Sequence, residues 1–401
     1  MTFSSGVDAP SCSGRVAVIG GGRWACVLAE KLCEIVPQSG RISVHSRHNA
    51  ESVAKWMAEH ALEDRIHVSS DWPRTPAELD AVIVANAARD HETAVDWALD
   101  AGIHVLVEKP IAMTANGAQH LADRARRRGV RFAAANVFLF ASFVEKFATL
   151  LSREKDIRLV RLRWMDPSDE TRYGDSKRFD PGLPIFSDWL PHVSSILGAL
   201  LPGRPHTCES LRFLRGGAHL ELELLLGDIP CSVELVRNGE RRQRVVEVAA
   251  SDTALQLDFT VEPGTISCGS TTLDGDPDRS AHESPLALML RAFLCWAARG
   301  KFDTRLDTEI GLRACRLIDQ TLTLYNAALL PWLMTRLTRP GGADDDLRYA
   351  LGEILQFRGL LSAAALDREI ERLRARFAHA PDTGWLSTLI NARAVSAEEQ
   401  S

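Results

Sequence analysis

The sequence lacks several features that would restrict its class. Its eight cysteines include no C-x-x-C pair and no cysteine–histidine cluster at metal spacing, so neither a disulfide scaffold nor a metal site is indicated. No apolar run is long enough to span a bilayer. The formal net charge of −6 gives no overall basic field to favour nucleic acid or anionic lipid. The first dozen residues lack a basic segment followed by an apolar one, so we expect no secretory signal and a cytoplasmic protein with reduced thiols.

What is present is an ordinary globular composition, with 45% hydrophobic and 25% charged residues. A chain of 401 residues is too long for one simple core. We therefore predict a flexible tail at 1–14, a first domain at 15–138, a second at 139–335 and a helical extension at 336–401.

The first half of the chain alternates short apolar runs with helical patterns. The apolar runs include RVAVI, RISVHS, AVIVAN and HVLVEKP. Strands that alternate with helices of this length predict an α/β domain with a doubly wound parallel sheet.

The pattern changes near residue 156. IRLVRLRW, HLELELLL and RQRVVEVAA alternate apolar and polar residues, which is typical of strands with one face covered. We predict an α+β domain with a mainly antiparallel open sheet. Residues 347–393 are predicted to form two or three amphipathic helices.

A glycine-rich turn follows the first predicted strand. Gly20, Gly21 and Gly22 stand before Arg23-Trp24-Ala25, which fits G-x-G-x-x-G/A. In that motif, glycines permit a tight turn and let the backbone approach a pyrophosphate at a helix N-terminus. The motif lies between a strand and a helix, so it indicates a Rossmann dinucleotide site involving Gly20, Gly22, Arg23 and Trp24.

The end of the second strand bears on the choice of cofactor. NAD sites usually place Asp or Glu there, whereas this chain has His45-Ser46-Arg47. Ser46 and Arg47 could bind a 2′-phosphate, so we expect NADP(H) to be favoured over NAD(H). The alternative is a solvated loop with an ordinary arginine.

Further candidates follow later strands, where ligands bind in doubly wound sheets. Glu108-Lys109-Pro110 ends the fifth strand, and Lys109 could reach both the cofactor and a substrate oxygen. Its alternative is a surface lysine. Asn86 and Asn136 each end a predicted strand, and we assign Asn86 and Glu108 to the cofactor and Asn136 to the substrate.

These stretches resemble the glucose–fructose oxidoreductase / inositol dehydrogenase / rhizopine catabolism (Gfo/Idh/MocA) oxidoreductases. The resemblance rests on four stretches: VAVIGGGRWA, DAVIVANAARDHETAVDWALDAGIHVLVEKPIAMT, FSDWLPHVSSIL and SPLALMLRAFLCWAARGKF. It covers residues 14–330 and implies the two domains predicted above. It also implies a catalytic or substrate-orienting Lys109, a proton-transferring His192, and an Asp188 that orients the histidine or contacts substrate.

Asp188 and His192 are four residues apart, which places them on one face of a helix. Pro191 predicts a helix that starts late, with Asp188 near its N-cap. The alternative is a capping aspartate and a buried histidine. The chain departs from the family where Ser195 replaces an acid and where only His91 matches T-P-N-x-x-H.

Two other segments have open interpretations. The loop between Trp164 and Pro184 carries Arg172 and Lys177, which could clamp an anionic substrate group or simply be solvated. The extension after residue 330 exceeds the usual family length and could complete a dimer or form a lid.

Together these features predict hydride transfer between NADP(H) and a carbonyl, hydroxyl-bearing or imine carbon of a small polar substrate, sugar-like or a biosynthetic intermediate. The glycine turn, Lys109 and His192 should then meet at one nicotinamide ring. The alternatives are NAD-dependent glycoside cleavage on the same fold and a nucleotide-sensing regulator without turnover. We expect a homodimer or homotetramer, and no metal, nucleic acid or membrane partner.

Overall fold

The structure is a computed structural model. It describes residues 14–74, 76–172, 175–176, 179–279, 283–298, 300–338, 344–357, 362–379 and 383–391. Except for Gly14, the predicted tail lies outside the described residues. The chain forms two compact units: one contains the described residues up to 141 and between 280 and 312, and the other contains 142–279 and those from 313 onward.

The first unit has a six-stranded parallel sheet. Its strands are β1 (Arg15–Ile19), β2 (Arg41–His45), β3 (Ile66–Ser69), β4 (Ala81–Val84), β5 (His104–Val107) and β6 (Phe132–Ala134). Their order is β3-β2-β1-β4-β5-β6, which reverses direction between β1 and β4. The residues of β4 are fully buried, as expected of a strand covered on both faces. The predicted doubly wound Rossmann sheet is confirmed.

The second unit has an eight-stranded sheet in the order β10-β11-β12-β7-β13-β14-β15-β16, and β8 pairs with β9 alone. The strands are β7 (Leu159–Pro167), β8 (Thr171–Arg172), β9 (Asp175–Ser176), β10 (His206–Leu214), β11 (His219–Leu226), β12 (Ile229–Gly239), β13 (Gln243–Ala249), β14 (Ala254–Asp258), β15 (Thr265–Cys268) and β16 (Thr271–Asp274). Only β12 and β7 pair in parallel among these described strands. The mainly antiparallel sheet is therefore confirmed, whereas β15 and β16 were not predicted.

Helices cover these sheets. They are α1 (Arg23–Ile35), α2 (Ala50–Glu59), α3 (His91–Asp100), α4 (Ala115–Arg128), α5 (Ser142–Leu151), α6 (Ile185–Leu200), α7 (Pro285–Ala297), α8 (Thr308–Leu337), α9 (Asp345–Phe357), α10 (Ala363–His379) and α11 (Thr383–Asn391). In the described part of the chain, none of them combines the length and apolar character needed to cross a membrane.

Two helical segments group differently from the predicted division. Helix α7 belongs to the first unit because it packs against α1 and the short turn at Val137–Phe140. Helices α9 to α11 belong to the second unit. Helices that are distant in sequence thus belong to the same unit when they pack against the same apolar surface.

Candidate active site

The turn between β1 and α1 contains three glycines with different surroundings. Gly20 has φ +145°, and a Cβ there would collide with the backbone carbonyl of Ala85. A Cβ on Gly21 would collide with the Ser46 hydroxyl, whereas Gly22 faces open space at the N-cap of α1. Because all three residues are glycines, no side chain of the turn blocks access to the N-terminus of α1. This arrangement fits a pyrophosphate approaching backbone N–H groups.

The polar side chains of the loop after β2 differ in exposure to solvent. Ser46 is buried, and its hydroxyl accepts a hydrogen bond from the Asn49 backbone at 3.2 Å. Arg47 and His48 are exposed. Ser46 therefore closes the turn, while the Arg47 guanidinium is the group accessible to an anion.

Glu108 connects the end of β5 to the start of α1. The indole of Trp24 donates to its carboxylate at 2.6 Å, and the Lys109 backbone donates at 3.3 Å. Burial raises the pKa of Glu108, since removal from water disfavours the carboxylate. Lys109 itself is half-buried, and its bond to Pro110 is cis. Glu108 thus fixes the segment that carries Lys109 against the helix of the glycine turn.

His91 is the first residue of α3 and is 2% exposed. Its Nδ1 lies 2.7 Å from the Pro110 carbonyl, and its Nε2 lies 3.2 Å from the Asn86 carbonyl. Burial lowers the pKa of His91, because the interior disfavours the imidazolium. The ring therefore bridges the segments that follow β4 and β5. His91, the single match to the family's T-P-N-x-x-H, thus contacts a backbone carbonyl through each ring nitrogen.

The candidates of the first unit follow adjacent strands β1, β4, β5 and β6. Because parallel strands end at one edge of a sheet, the structure brings these residues to that edge: Gly20, Gly22, Asn86, Glu108, Lys109 and Asn136. Asn136 is 2% exposed, and its side-chain nitrogen has no hydrogen-bond partner among the described residues. A buried amide donor at this edge fits a site that receives a polar ligand.

Helix α6 carries Asp188 and His192, but it starts earlier than predicted. Its N-cap is Pro184, so Asp188 lies in the fourth helical position and Pro191 lies inside the helix. The expectation of Pro191 at an early helical position is wrong, whereas Asp188 does lie in the first turn, near the N-cap. Burial of the first turn, including Ile185 at 0% exposure, outweighs the hydrogen bond that Pro191 cannot make.

Asp188 is paired with a buried arginine. Arg237 on β12 is 2% exposed and donates to the Asp188 carboxylate at 3.0 Å. The same guanidinium donates to the Leu183 carbonyl at 3.0 Å and to the Tyr349 hydroxyl at 3.1 Å. Asp188 is thereby held in one orientation, with 20% of its side chain exposed.

His192 stacks on a buried indole. Its ring is parallel to Trp164 within 8°, with centroids 5.6 Å apart. The Arg244 guanidinium lies 4.0 Å from the Trp164 ring centroid and pairs with Asp166 in the interior. Trp164 and Arg244 are register partners on β7 and β13. Cross-strand pairing therefore builds the platform under the histidine.

The sequence analysis missed these supporting residues. Arg237, Arg244, Trp164 and Asp166 all lie on buried positions of strands that alternate in exposure. A period-2 pattern that places an arginine or aspartate on the covered face is the signal that could have found them.

Two predicted substrate residues are not described. Lys177 lies outside the described residues, and so does the side chain of Arg172 in β8. Within the part of the chain that is described, no three His, Cys, Asp or Glu residues group in a way that could hold a metal ion.

Comparisons with known proteins find similar sequences and folds. The model of an oxidoreductase family with an NAD-binding Rossmann fold (Gfo/Idh/MocA) matches residues 14–136. An inositol 2-dehydrogenase of Serratia proteamaculans is 29% identical over 99 residues, which are 25% of this chain and 29% of that protein. The match thus spans less than a third of the relative's length.

Solved structures share the fold over a longer stretch. A UDP-N-acetylglucosamine 3-dehydrogenase from Acidithiobacillus ferrooxidans is 20% identical, with a TM-score of 0.64 over 79% of this chain and 99% of that one. A 3-ketoreductase from Actinomadura kijaniata, solved with TDP-benzene and NADP, is 21% identical, with a TM-score of 0.61 over 77% and 96%. At such identity these likenesses show the fold alone. Residues 14–136 are thus similar to the NAD-binding Rossmann domain of the Gfo/Idh/MocA oxidoreductases.

Proposed function

We propose that this chain is an NADP(H)-dependent oxidoreductase acting on a carbonyl, hydroxyl-bearing or imine carbon of a small, sugar-like substrate. One observation carries the proposal: the open glycine turn, Lys109 and the buried amide of Asn136 follow strands that end at one edge of one sheet. Ligands of doubly wound sheets bind at this edge. A similar structure that is named as a UDP-N-acetylglucosamine 3-dehydrogenase supports the substrate class.

The first unit would hold the cofactor. The pyrophosphate would accept hydrogen bonds from backbone N–H groups of the turn and the start of α1, namely those of Gly20, Gly22, Arg23 and Trp24. Arg47 pairs with the 2′-phosphate, with Ser46 shaping the loop beneath it. When bound, the nicotinamide supplies or accepts the hydride. The Glu108 contact keeps the Lys109 segment in place against α1.

The protein itself would manage the proton. We assign proton transfer at the substrate oxygen or nitrogen to Lys109 and His192, and orientation to Asp188. The Trp164 platform fixes the plane of the His192 ring. We expect the loss of either proton-transferring group to lower turnover.

A screen that follows the absorbance of the reduced cofactor tests this proposal. The substrates are pooled aldoses, ketones, nucleotide-linked keto sugars and cyclic imines, each offered with NADPH and NADH. We expect Lys109→Met and His192→Gln to lower kcat/KM by about 10²- to 10⁴-fold while NADPH affinity changes little. Lys55→Met, on the exposed face of α2, is the matched control. Full turnover by Lys109→Met would contradict the proposal, and tight NADPH binding without any turnover would favour a sensor.

The cofactor preference has its own test. Arg47→Asp should weaken NADPH binding by about 10-fold or more and improve NADH binding, because the carboxylate repels a phosphate and accepts from ribose hydroxyls. Isothermal titration with both cofactors measures the change. An unaltered NADPH affinity would remove NADP(H) from the proposal and leave NAD(H).

A further inference from the structure

Asp188 is held by a residue that comes from another part of the second unit. Arg237 lies 49 residues further along the chain, on β12, and its guanidinium is almost fully buried. A buried cation is tolerated only when it is paired and hydrogen-bonded. Its ion pair with Asp188 at 3.0 Å therefore constrains both side chains.

Another contact of this guanidinium reaches the C-terminal helix α9. One nitrogen donates to the Tyr349 hydroxyl on α9 at 3.1 Å, and the Phe179 ring lies 4.4 Å from the guanidinium carbon. Burial raises the pKa of Tyr349 to about 12, so the phenol stays neutral and accepts the hydrogen bond. The Asp188 carboxylate accepts a hydrogen bond from Arg237, and Glu353 on α9 is a second acidic group near the guanidinium.

Helix α9 is itself fixed by contacts with α8 and with the short turn at Arg215–Gly217. Leu347, Ala350, Leu351 and Ile354 form a buried face of the helix. The Tyr325 hydroxyl donates to Glu353 at 2.9 Å, within the interior. Gly216 lies so close to the Asp346 backbone that a Cβ would collide with it. The place of Tyr349 is therefore set by packing rather than by the arginine alone.

We propose that Arg237 and Tyr349 are positioning residues for Asp188, so that helix α9 of the C-terminal extension tunes the reaction from outside the cofactor unit. This inference rests on the proposed function, in which Asp188 takes part in the reaction. It gives the extension a catalytic purpose: Tyr349 holds the guanidinium, and the guanidinium holds the carboxylate.

Two Tyr→Phe variants separate positioning from plain stability. Tyr349→Phe removes the hydroxyl that contacts Arg237, whereas Tyr325→Phe removes a buried hydroxyl that contacts Glu353 instead. We expect both to lower the unfolding midpoint, but only Tyr349→Phe to lower kcat, by about 5- to 50-fold. NADPH affinity should stay within about twofold in each, because the first unit is unchanged. Equal kcat values for the two variants would overturn the proposal.

Double variants test the route through Asp188. Because Tyr349 acts through the carboxylate, adding Tyr349→Phe to Asp188→Asn should lower kcat no further than Asp188→Asn does alone. Arg237→Lys, which keeps the charge, should retain more turnover than Arg237→Met. Independent, multiplicative losses for Tyr349 and Asp188 would contradict the inference.

A stability cycle keeps the inference testable if no substrate is found. The midpoint shift of the Asp188→Asn/Tyr349→Phe protein should be smaller than the sum of the two single shifts. Additive shifts would refute the connection between these residues whatever the activity. Absence of turnover with coupled shifts would instead count against the proposed function alone.

Discussion

The two units hold their candidate site residues by different means. In the first unit, the His91 ring lies against two backbone carbonyls, and glycines shape the turn between β1 and α1. In the second unit, Arg237 holds Asp188 from 49 residues further along the chain, and Arg244 supports Trp164 from 80 residues further along. A site held by main chain depends on local conformation, whereas a site held by buried charges depends on both partners being present.

One contact of the first unit joins two side chains that are distant in sequence. Trp24 and Glu108 are 84 residues apart and join by a side-chain hydrogen bond in the first unit. That bond joins a neutral donor to a carboxyl group whose pKa is raised by burial, and a carboxyl group can take up a proton. The ion pairs of the second unit have no such neutral alternative, since arginine stays charged.

The largest expected effect is the loss of a buried cation in the second unit. Arg244→Met leaves Asp166 in the interior without this partner and should lower the free energy of unfolding by about 3–5 kcal/mol. Arg212→Met removes an exposed ion pair with Glu221 on the same sheet and should cost at most about 1 kcal/mol. Urea denaturation measures both. Similar decreases in the free energy of unfolding for the two variants would mean that the buried ion pair stabilises this unit no more than the exposed one does.

A pH effect of intermediate size is expected at His206. Burial first, and Arg313 second, lower the pKa of His206 to about 4. The unfolded chain takes up a proton near pH 6.5, so stability is full above that pH and falls as the pH drops toward about 4, by about 3 kcal/mol in total. His206→Gln should reduce this decline, whereas the exposed His120→Gln should not. Parallel stability profiles for the wild type and His206→Gln would show that the prediction is wrong.

The smallest expected effect on stability lies in the glycine turn, where two neighbouring substitutions should behave differently. Gly20→Ala should destabilise the protein by about 1–3 kcal/mol, because φ is positive and the Ala85 carbonyl blocks the new Cβ. Gly22→Ala should change stability by less than about 1 kcal/mol and yet weaken NADPH binding, because its Cβ enters the open approach. Thermal unfolding and titration with NADPH separate the two effects. Unchanged NADPH affinity in Gly22→Ala would contradict the proposal that this turn binds the pyrophosphate.

Much of the first unit was predictable because its signals are local. The apolar runs predicted its strands, and the glycine turn and Lys109 follow directly from strand ends. The start of α6 was mispredicted, because proline chemistry was weighed without the burial of Ile185. The grouping of α7 could not be inferred either, since it depends on which surface the helix covers.

The sequence by itself determined the parallel sheet, the mainly antiparallel sheet and the candidate positions Lys109, Asp188 and His192, because these follow from periodicity, strand ends and the family's motifs. Only the tertiary structure decided that Arg237 and Tyr349 contact around Asp188 and that Trp164 lies under His192. The physical reason is that a buried charge or ring can be satisfied by any suitable partner that the fold brings near, and nothing local in the sequence specifies which one.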